Sequence, residues 1–134
     1  MTPFLADMPP LFSSRPLPEC IARARAEWQA AVRTARKDLP GAARAFLQVA
    51  ARLEPAAIGL FAEAVTSMRL LALENALEAG TAAGDRAGLE RELSRLAHAE
   101  PALRDGIARI LRGESESKPP RDLSAMMGAW NAET

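Results

Sequence analysis

The sequence predicts an all-α fold: a compact bundle or stacked helical hairpins of about five helices, with an extended N-terminal arm and a short C-terminal amphipathic helix on a linker. Three observations predict it. Apolar residues make up 49% of the chain but aromatics only 4%, so much of the apolar content is alanine. Alanine has the highest helix propensity, and the β-branched and aromatic residues that favour strands are scarce. Apolar residues also recur at steps of three and four through the middle of the chain, the period of a helix with one buried face. The 134 residues suffice for one domain, or one domain with tails. The wealth of Ala, Arg, Leu and Glu is also what a GC-rich bacterial or phage genome produces.

Residues 1–18 hold Pro3, Pro9, Pro10, Pro16 and Pro18. Proline fixes φ and removes a donor, so this segment reads as an extended arm. It carries Phe4, Leu5, Met8, Leu11 and Phe12, which suits either a strap across the domain or a contact with a partner. A first helix is expected over 19–38, with Ile21, Ala24, Trp28, Val32, Ala35 and Leu39 on one stripe and Trp28 as core anchor. Leu39, Pro40 and Gly41 are expected to end it. A second helix follows over 42–53, with Phe46, Val49, Ala50 and Leu53 inward. A third is expected over 55–79, opened by Pro55 and closed by Gly80. It is apolar almost all round, with a thin strip of Glu63, Ser67, Glu74 and Glu78, so it is the central helix or the heart of an oligomer interface.

Asp85 is placed to cap a fourth helix with Leu89, Leu93, Leu96 and Ala97 inward. Pro101 opens a fifth, with Leu103, Ile107, Ile110 and Leu111 inward, and Gly113 ends it. The helical domain is thus 19–113, followed by a polar linker over 114–121 and a last amphipathic segment over 122–134. Residues 47–65 and 93–111 share a Leu, an Ala, a Glu-Pro-Ala corner and a later Ala in register, consistent with a duplicated helix-corner-helix unit. GDRAGLERELSRLAHAEP, at 84–101, resembles the second helix and closing proline of a tetratricopeptide repeat. GAARAFLQVAARLEP, at 41–55, is similar, and Trp28 stands upstream roughly where that repeat places its tryptophan. The resemblance implies a helical-hairpin binding scaffold.

Seventeen basic residues balance seventeen acidic ones, so the chain has no global signature of a nucleic-acid binder. The distribution is uneven, net +4 over 15–69 and net −3 over 70–134. Arg23, Arg25, Arg33, Arg36, Lys37 and Arg44 could contact phosphates, with Arg23, Arg33, Arg36 and Lys37 as the basic face of the first helix. No aromatic residues interleave with them to stack bases. PLPECIARARAEW, followed by LEPAAIGLFAEAVTSMRLLALENALEAG, resembles the small terminase subunits of tailed phages. That resemblance implies a helical, oligomeric DNA-packaging subunit whose terminal segment engages the large subunit. The gap after Trp28 is longer than in that family, and no helix-turn-helix reading unit stands out.

Little in the chain suits catalysis. His98 is the only histidine, and it falls away from the leucine stripe of its helix. Cys20 is the only cysteine, so no internal disulfide and no cysteine-based metal site is expected. Glu63, Glu74 and Glu78 share one face without a histidine, which reads as a solvated strip or one meeting a basic partner. There is no Gly-rich phosphate loop. No enzyme activity, catalytic residue, metal or cofactor is expected. Charges at Glu63, Arg69, Glu74 and Glu78 exclude a plain membrane span, the first residues lack the pattern of a signal peptide, and a cytoplasmic location is expected.

The most function-like feature is the last segment. Leu123, Met126, Met127 and Trp130 recur at i, i+3, i+4 and i+7, the anchor spacing of a helix lying in a hydrophobic groove. The groove belongs either to the same domain or to a protein partner, including a second copy of the chain. The expected function is a non-enzymatic adaptor or assembly subunit with this helix as a latch. The alternative is a nucleic-acid-associated subunit such as a phage small terminase.

Overall fold

The structure, a computed structural model, describes Ala6, residues 19–59 and residues 62–114. Its described residues form five α-helices and no strand, as the composition predicts. Helix α1 (Glu19–Thr34) buries Ile21, Ala24, Trp28 and Ala31, a stripe at steps of three and four. It stops short of the expected 19–38 because Asp38 belongs to the next helix. The Asp38 carboxylate accepts the Gly41 N–H at 2.9 Å, and Pro40 sits in the first turn, where no donor is needed. Leu39, Pro40 and Gly41 therefore open α2 (Leu39–Arg52) rather than close α1.

The third helix also differs from its expected bounds of 55–79. Pro55 opens only a 3-10 turn, Glu54–Ala56, and Gly59 then takes φ +58°, a left-handed conformation that a helix cannot continue. Helix α3 begins after this break and spans Ala62–Ala82. It runs through Gly80, whose bare Cα lets α4 approach: a Cβ there would lie 2.5 Å from Leu89 Cδ2. The stop is Gly84 at φ +84°. There the Gly84 N–H donates to Thr81 O at 3.0 Å and the Asp85 N–H to Gly80 O at 2.8 Å, the paired bonds of a Schellman end.

Helices α4 (Arg86–Ala99) and α5 (Pro101–Leu111) form a hairpin around Glu100. Leu89 and Leu93 of α4 and Leu103, Ile107 and Ile110 of α5 are buried. The two Glu-Pro corners thus differ: Pro101 opens α5 directly, whereas α3 starts only at Ala62.

Helix α2 packs on both α1 and α3, and α3 packs in turn on α4 and α5. The expected central helix is therefore α3. One contiguous core runs through all five helices, with the Trp28 and Phe46 rings meeting edge to face at 5.7 Å. No helix among the described residues is long and apolar enough to cross a membrane.

Candidate functional site

Two polar side chains of α3 organise the surroundings of the core. Arg69 is 4% exposed, and a buried guanidinium needs both a counter-charge and hydrogen bonds. It has both. Its Nε donates to Ala50 O at 2.7 Å, and its two terminal nitrogens donate to the two Glu100 oxygens at 2.8 and 2.9 Å. Ala50 lies in the last turn of α2, where carbonyls lack intrahelical partners. Arg69 thus ties the end of α2 and the α4–α5 corner to the central helix.

Asn75 lies two turns further along α3 and is 1% exposed. Its side-chain oxygen accepts the Ala6 N–H at 3.2 Å, and its amide nitrogen donates to Ala6 O at 3.0 Å. Trp28 Nε1 donates to the same carbonyl at 2.9 Å. Ala6 also packs its side chain against the core. One residue of the N-terminal segment is thereby held across α1 and α3 through both of its main-chain groups. Trp28 fills the core as expected, and its indole N–H adds this second role. Sequence reading missed Arg69 and Asn75 as organising residues. The available signal was a charged and an amide side chain inside an otherwise apolar helix.

The acidic strip of α3 needs correction. Glu63 is exposed and Ser67 half-buried, but Glu74 is buried and Glu78 half-buried, so the strip is not a solvated face along its length. The helix is packed on by α2, α4 and α5. Near its start, a shallow groove of about 490 Å³ opens between α3 and α5, lined by Glu63, Thr66, Ser67, Asp105 and Arg109 around Leu70 and Gly106.

The basic residues singled out from the sequence are spread along α1 and its exit turn. Arg33 lies in the last turn of α1, and Arg36 and Lys37 follow in its exit turn; all three are exposed and make no ion pair among the described residues. Arg23 stands ten residues earlier, about 15 Å up the helix, with its guanidinium on Glu19 at 2.8 Å. Leu123, Met126, Met127 and Trp130 lie outside the described residues, as do the linker beyond Glu114 and all of the arm except Ala6. His98 is exposed and Cys20 half-buried. At the surface, a hydrogen bond from Arg95 holds the Glu92 carboxyl below its ordinary pKa, and one to Glu27 raises that of Arg52. Compared with protein-family models, curated proteins and solved structures, the chain matches none.

Proposed function

We infer that the protein is a non-enzymatic helical adaptor or assembly subunit that works through protein–protein contacts, with residues 122–134 as its latch. The observation that carries this reading is the spacing of Leu123, Met126, Met127 and Trp130 on one face, beyond a polar linker. Methionine adapts to irregular surfaces and tryptophan is a frequent hot spot. Burying side chains of this size contributes about 1.5–3 kcal/mol each before ordering costs. A random chain of eight residues, the length of 114–121, reaches ~16 Å, enough to present a following helix to a neighbouring molecule. The helical body supports the reading too, since its five helices share one core built from their own buried faces.

Copies of this chain are the first partner to test. Sedimentation velocity of the intact protein and of Met126→Glu/Trp130→Glu should show an assembly that the double variant loses, with helicity unchanged by circular dichroism. An intact chain that sediments as a monomer across the micromolar range, identical to the variant and with no partner lost, contradicts the latch.

The exposed Arg33, Arg36 and Lys37 favour a second reading, a nucleic-acid-associated assembly subunit like the phage small terminases. Changing all three to Glu should then abolish salt-sensitive DNA or RNA binding. Absence of binding by the intact protein at low salt ends that reading.

A further inference from the structure

Cations crowd the turn between α1 and α2. Arg33, Arg36 and Lys37 fall within five consecutive residues, and Arg44 follows in the second turn of α2. All four are exposed, and no ion pair engages any of them among the described residues. The acid in that stretch is Asp38, and its carboxylate is committed to the Gly41 N–H at 2.9 Å. Like charges held this close repel one another, and carboxylates brought from outside relieve the repulsion. A complementary surface is the groove of about 490 Å³ between α3 and α5. Glu63 and Asp105 line it, both are exposed, and neither has an ion-pair partner among the described residues. Thr66 and Ser67 add hydroxyl acceptors. Leu70 and Gly106 make an apolar floor, closed because a Cβ on Gly106 would lie 2.3 Å from Leu70 Cδ1. Arg109 also lines the groove and has a partner of its own. This chemistry suits a guanidinium: carboxylates and hydroxyls for its N–H donors, apolar surface for its methylene stem.

The two surfaces lie toward opposite ends of α2. Arg36 and Lys37 precede Leu39 at its start, whereas Arg69 binds Ala50 in its last turn and Glu63 stands six residues before Arg69 on α3. A helix of 14 residues is about 20 Å long, so the turn and the groove of one molecule do not meet. We propose that the basic α1–α2 turn of one molecule docks in the acidic α3–α5 groove of a second copy of this chain. Because the two surfaces differ, the contact is heterologous, and a pair leaves one turn and one groove free for further copies. The proposal rests on the reading of the chain as an assembly subunit and deepens it. Exposed ion pairs are individually weak but set orientation and encounter rate, so this contact aligns the copies while the latch of residues 122–134 adds affinity.

Sedimentation velocity of full-length chains, at about 20 and about 300 mM salt, tests the proposal. One variant is Arg33→Glu/Arg36→Glu/Lys37→Glu and the other is Glu63→Lys/Asp105→Lys. The five side chains are exposed, so helicity by circular dichroism should be unchanged. At low salt each variant alone should associate about tenfold more weakly than the intact chain. An equimolar mixture of the two should recover association, because each supplies the charge that the other lacks, and about 300 mM salt should weaken that recovery. Mixing cannot repair a folding defect, so recovery reads the contact itself. If a reversal does not fold, Arg36→Gln/Lys37→Gln removes charge without reversing it and should weaken association by a smaller factor. An intact chain that stays monomeric at low salt, association that the reversals leave unchanged, or no recovery on mixing overturns the proposal. So does salt-sensitive binding of a DNA duplex through these cations without self-association. Met126→Glu/Trp130→Glu separates this contact from the latch. Association lost there but kept in both reversals contradicts this contact alone, and the converse supports it and contradicts the latch.

Discussion

Replacing Arg69 with alanine removes three hydrogen bonds from a charged donor and breaks a buried ion pair. It leaves the Ala50 carbonyl without its donor and the Glu100 carboxylate without its counter-charge. Breaking a buried pair from one side costs about 3–5 kcal/mol. Arg69 is fully within the core, but the Glu100 side chain is 29% exposed, so water can re-solvate part of the stranded carboxylate. That places Arg69→Ala near the lower end, about 3 kcal/mol. With a urea dependence of about 2 kcal/mol/M, the unfolding midpoint should fall by about 1.5 M. Circular dichroism in a urea titration measures this. The double variant Arg69→Met/Glu100→Met removes both charges together and should cost less than the sum of its single variants by at least about 1.5 kcal/mol. A loss below about 1 kcal/mol for Arg69→Ala, or strict additivity in the double variant, would refute the idea that this pair ties α2 and the α4–α5 corner to α3.

Other perturbations test separate parts of the account. Asp38→Ala should cost about 1 kcal/mol by removing the cap on Gly41, seen as a lower melting temperature; no change would return Leu39, Pro40 and Gly41 to the role of a simple stop. Gly80→Ala should destabilise by about 1–2 kcal/mol despite alanine's better helix propensity, because its methyl group would meet Leu89; a more stable variant would show that α3 and α4 have room to spare. Arg95→Ala should raise the Glu92 carboxyl pKa toward its ordinary value in a ¹³C titration. A carboxyl with a lowered folded-state pKa contributes stability above the ordinary carboxylate range and loses it as pH falls through that folded value, so the variant should give up this contribution at neutral pH.

The helix class and the centrality of α3 were legible because an alanine-rich, aromatic-poor chain with an almost uniformly apolar helix has few other solutions. Boundaries were less so, since glycine and proline mark both starts and stops. Leu39, Pro40 and Gly41 read as the end of α1, and only the Asp38 carboxylate on Gly41 shows that they open α2. Gly80 read as the terminator of the third helix, but packing of Leu89 assigns it to a helix crossing, and a left-handed φ makes Gly84 the stop. Arg69 was read only as a charge in an apolar helix and Asn75 not at all, and their partners Glu100 and Ala6 are 31 and 69 residues away in sequence. No local spacing rule pairs residues at such separations. The basic face rests on helical spacing alone, which cannot show that Arg23 is engaged by Glu19 while Arg33, Arg36 and Lys37 stand exposed.

The proposed latch rests on Leu123, Met126, Met127 and Trp130 serving a partner rather than the core of their own domain. The thermal melt of full-length Met126→Glu/Trp130→Glu against the intact protein, followed by circular dichroism at a concentration below assembly, tests this most directly. A latch directed at another molecule predicts melting temperatures that agree within about 2 °C. A stripe packed into its own domain would place two charges in the core at a cost of several kcal/mol, and a fall of about 10 °C or more would contradict the account.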